Sequence, residues 1–254
     1  MHFTRIIPTL LLQDGGLVKT VKFKNPKYVG DPINAVRIFN EKEVDELVLL
    51  DIAATKEGKE PNYREIEEIV SEAFMPIGYG GGINQLAHIE KLFKIGVEKV
   101  ILNSAAYTNE QLISEASSIY GSQSIVVCLD YKTDLWGDYR FYTHSGTNKI
   151  KGKCEDVIKR IGELGAGEII LNSIDKDGTM SGYDLGLLEK LAKEVTVPVI
   201  ASGGAGNIQD FVKAIHSGAS AVSAGSMFVY QGIHRAVLIS YIKSSELDSL
   251  LKRV

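Results

Sequence analysis

The chain has 254 residues, of which 44% are hydrophobic and 24% are charged, with a net charge of −4 and a pI near 5.8. This composition fits one α/β barrel or two ordinary domains, and because no Pro- or Ser-rich linker divides the chain we expect residues 1–254 to form a single domain. The acidic balance argues against binding to nucleic acid or to a membrane surface, since both partners usually require a basic face.

Two features predict a soluble, cytoplasmic protein. The two cysteines, Cys128 and Cys154, form neither a disulfide framework nor a metal-ligand spacing, which is typical of a reducing compartment and predicts no metal site. The N-terminal apolar run from Ile6 to Leu12 is cut off by Asp14, which makes it too short for a signal peptide, and no other run is long enough to span a bilayer.

Eight short apolar runs predict strands that are buried on both faces, because their apolar residues are continuous rather than alternating. These runs are Arg5–Leu12, Leu47–Ile52, Met75–Tyr79, Glu98–Asn103, Ser124–Asp130, Glu168–Ser173, Val197–Ala201 and Ser220–Ala224. Amphipathic segments between and after them predict helices: Asp31 onward, Pro61–Ala73, Asn84–Ile95, Thr108–Tyr120, Lys153–Glu163, Asp184–Glu194, Asn207–His216 and Ile233–Leu251. This alternation predicts a closed (β/α)8 TIM barrel, with an open doubly wound sheet as the alternative.

One stretch of the chain occurs twice. Residues 76–82 (PIGYGGG) and 198–204 (PVIASGG) each continue through a helical segment to a second apolar run, which ends at Ser104 or Ser226, and equivalent positions differ by 122 residues. A buried strand that ends in a glycine pair and turns into a helix presents free backbone N–H groups, which can hold a phosphate. A single copy would favour a plain tight turn. Two copies predict either one ligand with a phosphate at each end or two phosphorylated ligands.

The repeat predicts two half-barrels that differ in one chemically important position. Residues 46–51 match residues 168–173 at the same offset, whereas the first strands of the two halves match at an offset of 119. One of these strands ends in Asp130 and the other carries Leu11. Because the active site of a TIM barrel lies at the carboxyl ends of its strands, we expect Asp130 in the mouth between the two phosphate sites. Capping of its own loop is the plainer alternative.

Four charged residues begin strands rather than end them. Arg5, Glu46, Lys99 and Glu168 would lie together across the bottom of the barrel, where charges of both signs are costly unless they pair. Each residue alone is best explained as a solvated charge, but the set of four resembles a plug or a gate. At the opposite end, the polar run Lys132–Lys149 is expected to form a flap or hairpin over the mouth.

Motifs throughout the chain resemble the cyclase subunit of imidazole glycerol phosphate synthase, over nearly all of residues 3–230. They are RIIP at Arg5, DG at Asp14, VK at Val18, GDP at Gly30, DEL at Asp45, LDI at Leu50, GGGI at Gly80, NSA at Asn103, GSQ at Gly121, DKDGT at Asp175, SGYD at Ser181 and VPVIASGGAGN at Val197. The resemblance implies a TIM-barrel lyase without a cofactor. In that family a class I glutaminase docks on the barrel floor and releases ammonia, which crosses the barrel to a substrate with two phosphates.

The resemblance also implies roles for individual residues. A HisH-like glutaminase partner would face Glu98 and Gln123, and the four floor charges fall on the positions of the ammonia gate. Catalytic roles are implied for Asp130, Lys19 and Asp51. The implied phosphate-binding residues are Gly81, Gly82, Asn103, Ser104, Asp177, Gly178, Gly203, Gly204, Gly225 and Ser226.

Leu11 departs from the pattern of the family, which uses an aspartate at the end of the first strand as the partner of the aspartate that corresponds to Asp130. Leucine cannot transfer a proton, and losing one member of an acid/base pair commonly lowers the rate by about two to four orders of magnitude. Asn172 also stands where the family more often has threonine. These changes resemble the paralogues that supply ammonia for an acetamidino group on bacterial surface sugars.

Three functions therefore stay open. We expect a subunit that passes ammonia to a phosphorylated or nucleotide-sugar acceptor in acetamidino modification, with a separate amidotransferase as a further candidate partner. The second hypothesis is a working cyclase of histidine biosynthesis, in which water, Asp14 or Asp51 replaces the missing aspartate. The third is a catalytically silent scaffold that activates a glutaminase and channels its ammonia.

Overall fold

The computed structural model describes residues 4–252 of the chain. Its strands are β1 (Arg5–Gln13), β2 (Gly16–Val21), β3 (Lys24–Gly30), β4 (Leu47–Asp51), β5 (Ile77–Gly80), β6 (Lys99–Leu102), β7 (Ile125–Thr133), β8 (Tyr139–Thr143), β9 (Asn148–Lys149), β10 (Glu168–Ser173), β11 (Val199–Ser202), β12 (Ala221–Ala224), β13 (Tyr230–Gln231) and β14 (Ala236–Val237). Its α-helices are α1 (Pro32–Glu41), α2 (Tyr63–Val70), α3 (Leu86–Ile95), α4 (Ala105–Thr108), α5 (Gln111–Tyr120), α6 (Cys154–Glu163), α7 (Leu185–Ala192), α8 (Ile208–His216), α9 (Ser226–Val229) and α10 (Ser244–Leu251).

Eight of these strands form a closed barrel in which every neighbouring pair is parallel. The order around the barrel is β1, β4, β5, β6, β7, β10, β11 and β12, and β12 pairs with β1 from Arg5 opposite Ala221 to Pro8 opposite Ala224. Helices connect the strands on the outside, as right-handed crossovers require. The predicted (β/α)8 barrel is confirmed, and its closure excludes the open sheet.

The two half-barrels repeat each other in detail. β1 and β7 both continue past the barrel into an antiparallel hairpin, formed with β2 in one half and β8 in the other. Gly81 and Gly203 both have positive φ, and a Cβ added to either would lie 2.5 or 2.6 Å from the carbonyl oxygen of Asp51 or Ser173, respectively. Those two carbonyls are themselves 122 residues apart, so the sequence repeat is also a repeat of backbone geometry.

Two helices begin at residues whose side chains cap the free backbone N–H groups of the first turn. Asp31 precedes Pro32, and its Oδ1 accepts a hydrogen bond of 2.8 Å from the backbone N–H of Asn34. Asn207 opens α8 with a capping box, in which Asp210 accepts from the backbone N–H of Asn207. The second cap fixes the start of the helix that follows the Gly203–Gly204 turn.

The hydrophobic core has two parts, one on each side of the barrel wall. The larger part lies between the strands and the surrounding helices. The smaller part fills the barrel interior and consists of Ile7, Val48, Ile101, Val126, Cys128, Ile170, Ile200 and Ala221. Side chains alternate along each strand, so that β1 directs Arg5, Ile7, Thr9 and Leu11 inward. Along the barrel axis, the inward side chains of β1 are therefore charged at the floor and apolar above it, and Thr9 and Leu11 line the mouth.

The prediction of a helix over Ile233–Leu251 is wrong in its first half. Tyr230 pairs with Val237 in the β13–β14 hairpin, and the turn between them contains Gly232 and Arg235 at positive φ. The apolar side chain of Ile233 is 92% exposed, so nothing in the fold buries the apolar face that a helix here would present. Within the predicted span Ile233–Leu251, only α10 (Ser244–Leu251) is helical. Among residues 4–252, no helix has the length and apolar character needed to cross a membrane.

Candidate active site

A cavity of about 330 Å³ opens at the mouth, which we define as the end of the barrel at the carboxyl ends of its strands. All three predicted catalytic residues and all ten predicted phosphate-binding residues line it. They are Lys19, Asp51, Gly81, Gly82, Asn103, Ser104, Asp130, Asp177, Gly178, Gly203, Gly204, Gly225 and Ser226. The structure thus places in one cavity residues that are separated by up to about 200 positions in the sequence. Their individual roles remain predictions.

Asp130 lies at the centre of a hydrogen-bonded carboxylate site. The Nδ2 of Asn172 donates to its Oδ1 at 2.8 Å, and the Nδ2 of Asn103 donates to its Oδ2 at 3.2 Å. Burial raises the pKa of Asp130 to about 7, although the hydrogen bond from Asn172 opposes the shift. A carboxyl group with a pKa near neutrality can both accept and donate a proton under physiological conditions, so the geometry suits general acid/base chemistry.

Lys19 is buried beside Asp177 on the β1–β2 side of the mouth. Its Nζ donates to the carbonyl oxygen of Thr9 at 2.6 Å, and burial lowers the pKa of Lys19 to about 8. Asp177 accepts hydrogen bonds from the Oγ1 of Thr20 at 2.8 Å and from the backbone N–H of Phe23 at 3.3 Å. The lysine therefore supplies a second group whose protonation is adjustable near neutral pH.

Leu11 and Asp51 show how the β1–β4 side of the mouth differs from the Asp130 side. Leu11 is half-buried, lines the cavity and lies in register with Leu50 of β4, so two leucines stand side by side there. The Oδ1 of Asp51 accepts from the backbone N–H groups of Ala53 and Ala54, both at 2.9 Å. One oxygen of Asp51 is thus engaged in holding its own loop, and the strand ends of β1 and β4 present leucine side chains to the cavity.

The glycine turns have the backbone geometry that only glycine adopts without strain. Gly82 and Gly204 have φ values of 70° and 118°, and a Cβ at Gly204 would lie 2.3 Å from the carbonyl oxygen of Gly182. Gly225 instead makes room for a side chain, because its Cβ would lie 2.6 Å from the Nζ of Lys19. We call Gly81–Gly82 the first glycine turn and Gly203–Gly204 the second. Ser104, which belongs to the same predicted phosphate site as the first turn, accepts a hydrogen bond from the backbone N–H of His144 through its Oγ.

At the opposite end of the barrel, Arg5, Glu46, Lys99 and Glu168 form one connected group of ion pairs, which we call the floor ring. The Nζ of Lys99 lies 2.8 Å from Glu46 and 2.9 Å from Glu168, and the guanidinium of Arg5 contacts the same two carboxylates. The two cations and two anions therefore alternate and close the end of the barrel.

The two residues predicted to face a glutaminase lie on the floor side. Glu98 directly precedes β6, Gln123 lies two residues before the start of β7, and both side chains are exposed. Phe74, which precedes β5 on the same side, is 90% exposed. Glu98, Gln123 and Phe74 thus present both polar and apolar side chains to solvent at the floor end of the barrel.

Several cavity residues were missed by the sequence reasoning. The β8–β9 turn brings His144 and Ser145 over the mouth, where the Oγ of Ser145 contacts the carbonyl of Ile52 at 3.3 Å. No local pattern marks these residues, because the hairpin sets their position. The Oγ atoms of Thr9 and Ser223 lie 2.6 Å apart, and the alternation from Arg5 could have identified Thr9.

His88 lies on the buried face of α3. It is only 4% exposed, and its Nδ1 lies 3.2 Å from the carbonyl oxygen of Gly82. Its Nε2 lies 2.6 Å from the side-chain nitrogen of Gln85. The imidazole therefore ties α3 to the first glycine turn.

Comparison with known proteins identifies the family. The model of the family described as histidine biosynthesis protein matches residues 5–235. A Pseudomonas aeruginosa protein named "Putative imidazole glycerol phosphate synthase subunit hisF2" is 54% identical over 96% of this chain and 98% of its own length. A similarly named HisF protein of Leptospira interrogans is 52% identical over 97% of this chain and 98% of its own length.

More distant relatives carry the plain name imidazole glycerol phosphate synthase subunit HisF. The protein of Petrotoga mobilis is 40% identical over 91% of this chain and 92% of its own length. Residues 5–235, which the family model matches, include the eight barrel strands, the predicted site residues of the mouth and the floor ring. The chain therefore belongs to the histidine biosynthesis protein family, as a HisF-like member.

Proposed function

We propose that the chain is a synthase subunit that receives ammonia at the floor of its barrel and delivers it to a phosphorylated or nucleotide-sugar acceptor at the mouth. The observation that carries the proposal is the order of groups along the barrel axis. Alternating charges at the floor, an apolar interior and a titratable carboxylate at the mouth follow one another. The floor suits the entry of ammonia, the apolar interior suits its passage, and the carboxylate at the mouth suits the proton transfer of the final reaction.

The apolar interior favours ammonia over the ammonium ion. Val48, Ile101, Cys128 and Ile170 line the bottom of the mouth cavity and also belong to the interior cluster that lies above the floor ring. A neutral molecule crosses such a region at a small cost in desolvation, whereas a charged ion loses its hydration without a partner. Ammonia released at the floor would reach Asp130 unprotonated and ready to act as a nucleophile.

The proposed partner on the floor is a class I, HisH-like glutaminase, which would supply the ammonia. Glu98, Gln123 and the exposed ring of Phe74 lie at the same end of the barrel as the floor ring and offer polar and apolar contacts to such a glutaminase. Both cysteines are free and buried, which agrees with a cytoplasmic location for such a complex. A separate amidotransferase that acts on the same acceptor remains a further candidate partner.

The apolar β1–β4 side of the mouth supports an acceptor other than the usual cyclase substrate. Leu11 and Leu50 present methyl groups where the family resemblance places a proton-transferring aspartate. Apolar side chains at a catalytic strand end are stable when something apolar covers them. We therefore favour the acetamidino modification of a surface sugar as the process in which the chain acts.

Two other functions compete with this proposal. The 40% identity to the Petrotoga mobilis HisF protein and the titratable Asp130 favour a cyclase of histidine biosynthesis in which another group replaces the missing aspartate. The third candidate, a non-catalytic scaffold, needs the floor ring and the interior but makes no use of the pKa of Asp130. The variants below distinguish the three.

The Leu11→Asp variant tests the choice between the first two functions. If the mouth has been reshaped for another acceptor, the new carboxylate will be poorly oriented beside Leu50, and turnover of the diphosphorylated cyclase substrate with ammonium should remain within a few-fold of the native rate. Restoration of a general acid/base would instead raise that turnover by about two to four orders of magnitude. Substrate disappearance measures the outcome, with Leu50→Asp as a matched control for added charge.

The glycine turns give a direct test of the phosphate sites. Crystals grown with phosphate should show one anion at Gly81 and Gly82, near Ser104, and another at Gly203 and Gly204. Free N–H groups and the adjacent helix start favour each anion by roughly 1 kcal/mol or more. A Gly204→Ala variant should lose the second anion and retain the first, because its Cβ would meet the carbonyl of Gly182. Absence of density at both turns of the native chain would refute this part of the account.

A further inference from the structure

The β13–β14 hairpin places an arginine at the rim of the mouth. Arg235 lies in the turn of this hairpin, and its Nη2 donates to the carbonyl oxygen of Gly178 at 3.1 Å. Gly178 lines the cavity. The loop that contains Gly178 packs on Gly204, since a Cβ added to Gly204 would lie 2.9 Å from the Cβ of Lys176. The guanidinium therefore contacts the loop that packs on the second glycine turn, Gly203–Gly204.

The guanidinium is held in place but keeps most of its hydrogen-bonding capacity. Its carbon lies 5.8 Å from the centroid of the Tyr230 ring, and that ring is buried. An arginine has five N–H donors, and the contact with Gly178 uses one of them. Within residues 4–252, Arg235 forms no ion pair. A fixed, exposed and unneutralised guanidinium is suited to bind an anionic group through two parallel hydrogen bonds.

Lysine side chains lie near both glycine turns, at Gly81–Gly82 and at Gly203–Gly204. At the second turn, Lys176 is likewise without an ion pair in the part of the chain that the structure describes, and the carboxylate of Asp177 is turned inward to Thr20. At the first turn, Lys59 pairs with Glu57, whereas Lys56 lines the cavity and has no ion pair within residues 4–252. The second turn is therefore distinguished by a guanidinium that is held by a hydrogen bond to a cavity-lining glycine, and not by a larger positive charge.

We infer that the second glycine turn binds the diphosphate group of an ester rather than a single phosphate. The inner phosphoryl group would lie on the N–H groups of Gly203 and Gly204, and the outer one would accept hydrogen bonds from Arg235. Two phosphoryl groups that share an oxygen are adjacent, which matches a backbone turn bordered by a guanidinium. The inference rests on the proposed function and narrows its acceptor to diphosphate esters, the class that includes nucleotide sugars.

Calorimetric titration of the full-length chain at constant ionic strength, with inorganic phosphate and inorganic pyrophosphate as probes, tests the inference. The Arg235→Gln variant should bind pyrophosphate about tenfold more weakly than the native chain, because a charge-assisted pair of hydrogen bonds is lost. Its affinity for phosphate should stay within about twofold, since the inner site is untouched. A crystal structure with pyrophosphate should show the outer phosphoryl group against Arg235.

The matched control is Arg140→Gln, which removes an arginine of the β7–β8 hairpin that is already paired with Asp134 and Asp138. It should leave both affinities unchanged. Unchanged pyrophosphate affinity in Arg235→Gln, or an equal loss for both anions, would overturn the inference and leave the phosphate turns intact. If the native chain binds neither anion, the proposed phosphate sites fail, and the inference fails with them.

Discussion

Replacement of Asp130 by asparagine is expected to lower nitrogen transfer to the acceptor by about two to four orders of magnitude, the usual contribution of a general acid/base. The attacking nitrogen of ammonia must lose a proton as it bonds to the acceptor, and Asp130 is a buried carboxylate with a pKa raised to about 7. Asparagine keeps the shape of the side chain but cannot accept that proton. With glutamine as the nitrogen source, transfer by the native chain should rise as the pH increases through about 7.

The measurement can be made before the acceptor is identified. Extract from cells that lack the chain is supplied with amide-¹⁵N glutamine and with native or variant protein, and ¹⁵N in the nucleotide-sugar and sugar-phosphate fractions is followed by mass spectrometry. The control is Asp138→Asn, which changes an exposed residue of the β7–β8 hairpin and should leave ¹⁵N transfer at the native rate. Equal transfer by Asp130→Asn and native protein would favour the scaffold hypothesis, in which the chain only conducts ammonia.

Replacement of Lys99 by alanine is expected to uncouple glutamine hydrolysis from nitrogen transfer. Lys99 bridges Glu46 and Glu168, and its removal opens the floor ring and leaves the two carboxylates with Arg5 alone. Breaking a largely buried ion pair should also lower the free energy of unfolding by about 2 to 4 kcal/mol. More glutamate should be released for each ¹⁵N transferred, because ammonia escapes before it enters the barrel.

A surface lysine provides the control for this variant. Lys94 forms an exposed pair with Glu90 on α3, and Lys94→Ala should change stability by no more than about 1 kcal/mol. It should also leave the ratio of glutamate released to nitrogen transferred at its native value. If Lys99→Ala keeps the native ratio while still binding the glutaminase, the floor ring has a structural role only, and the route of ammonia must lie elsewhere.

The sequence predicted the barrel because its signals are local and repeated. Each buried strand is a continuous apolar run, and the 122-residue repeat links Gly81 with Gly203 before any contact is known. The floor ring was predictable for the same reason, since a charge at the start of a buried strand has only one end of the barrel to occupy. Position along a strand thus sorted residues between floor and mouth.

Contacts made by loops and hairpins could not be predicted in this way. The hydrogen bond from His144 to Ser104 depends on the path of the β7–β8 hairpin across the mouth, and no periodicity in residues 132–149 encodes that path. Arg235 was assigned to a helix because its segment is amphipathic, yet the short β13–β14 hairpin, with Gly232 in its turn, directs Arg235 to Gly178. Such contacts arise from tertiary structure that overrides local propensity.

Incubation of the native chain with ammonium and the diphosphorylated substrate of the cyclase family is the most direct test of the central claim, that this HisF-like barrel delivers ammonia to a different acceptor. Because Leu11 offers no proton at the β1 end of the mouth, the account predicts turnover at least about two orders of magnitude below that of a HisF protein assayed in parallel. Turnover comparable with that protein would contradict the account and identify the chain as a working cyclase.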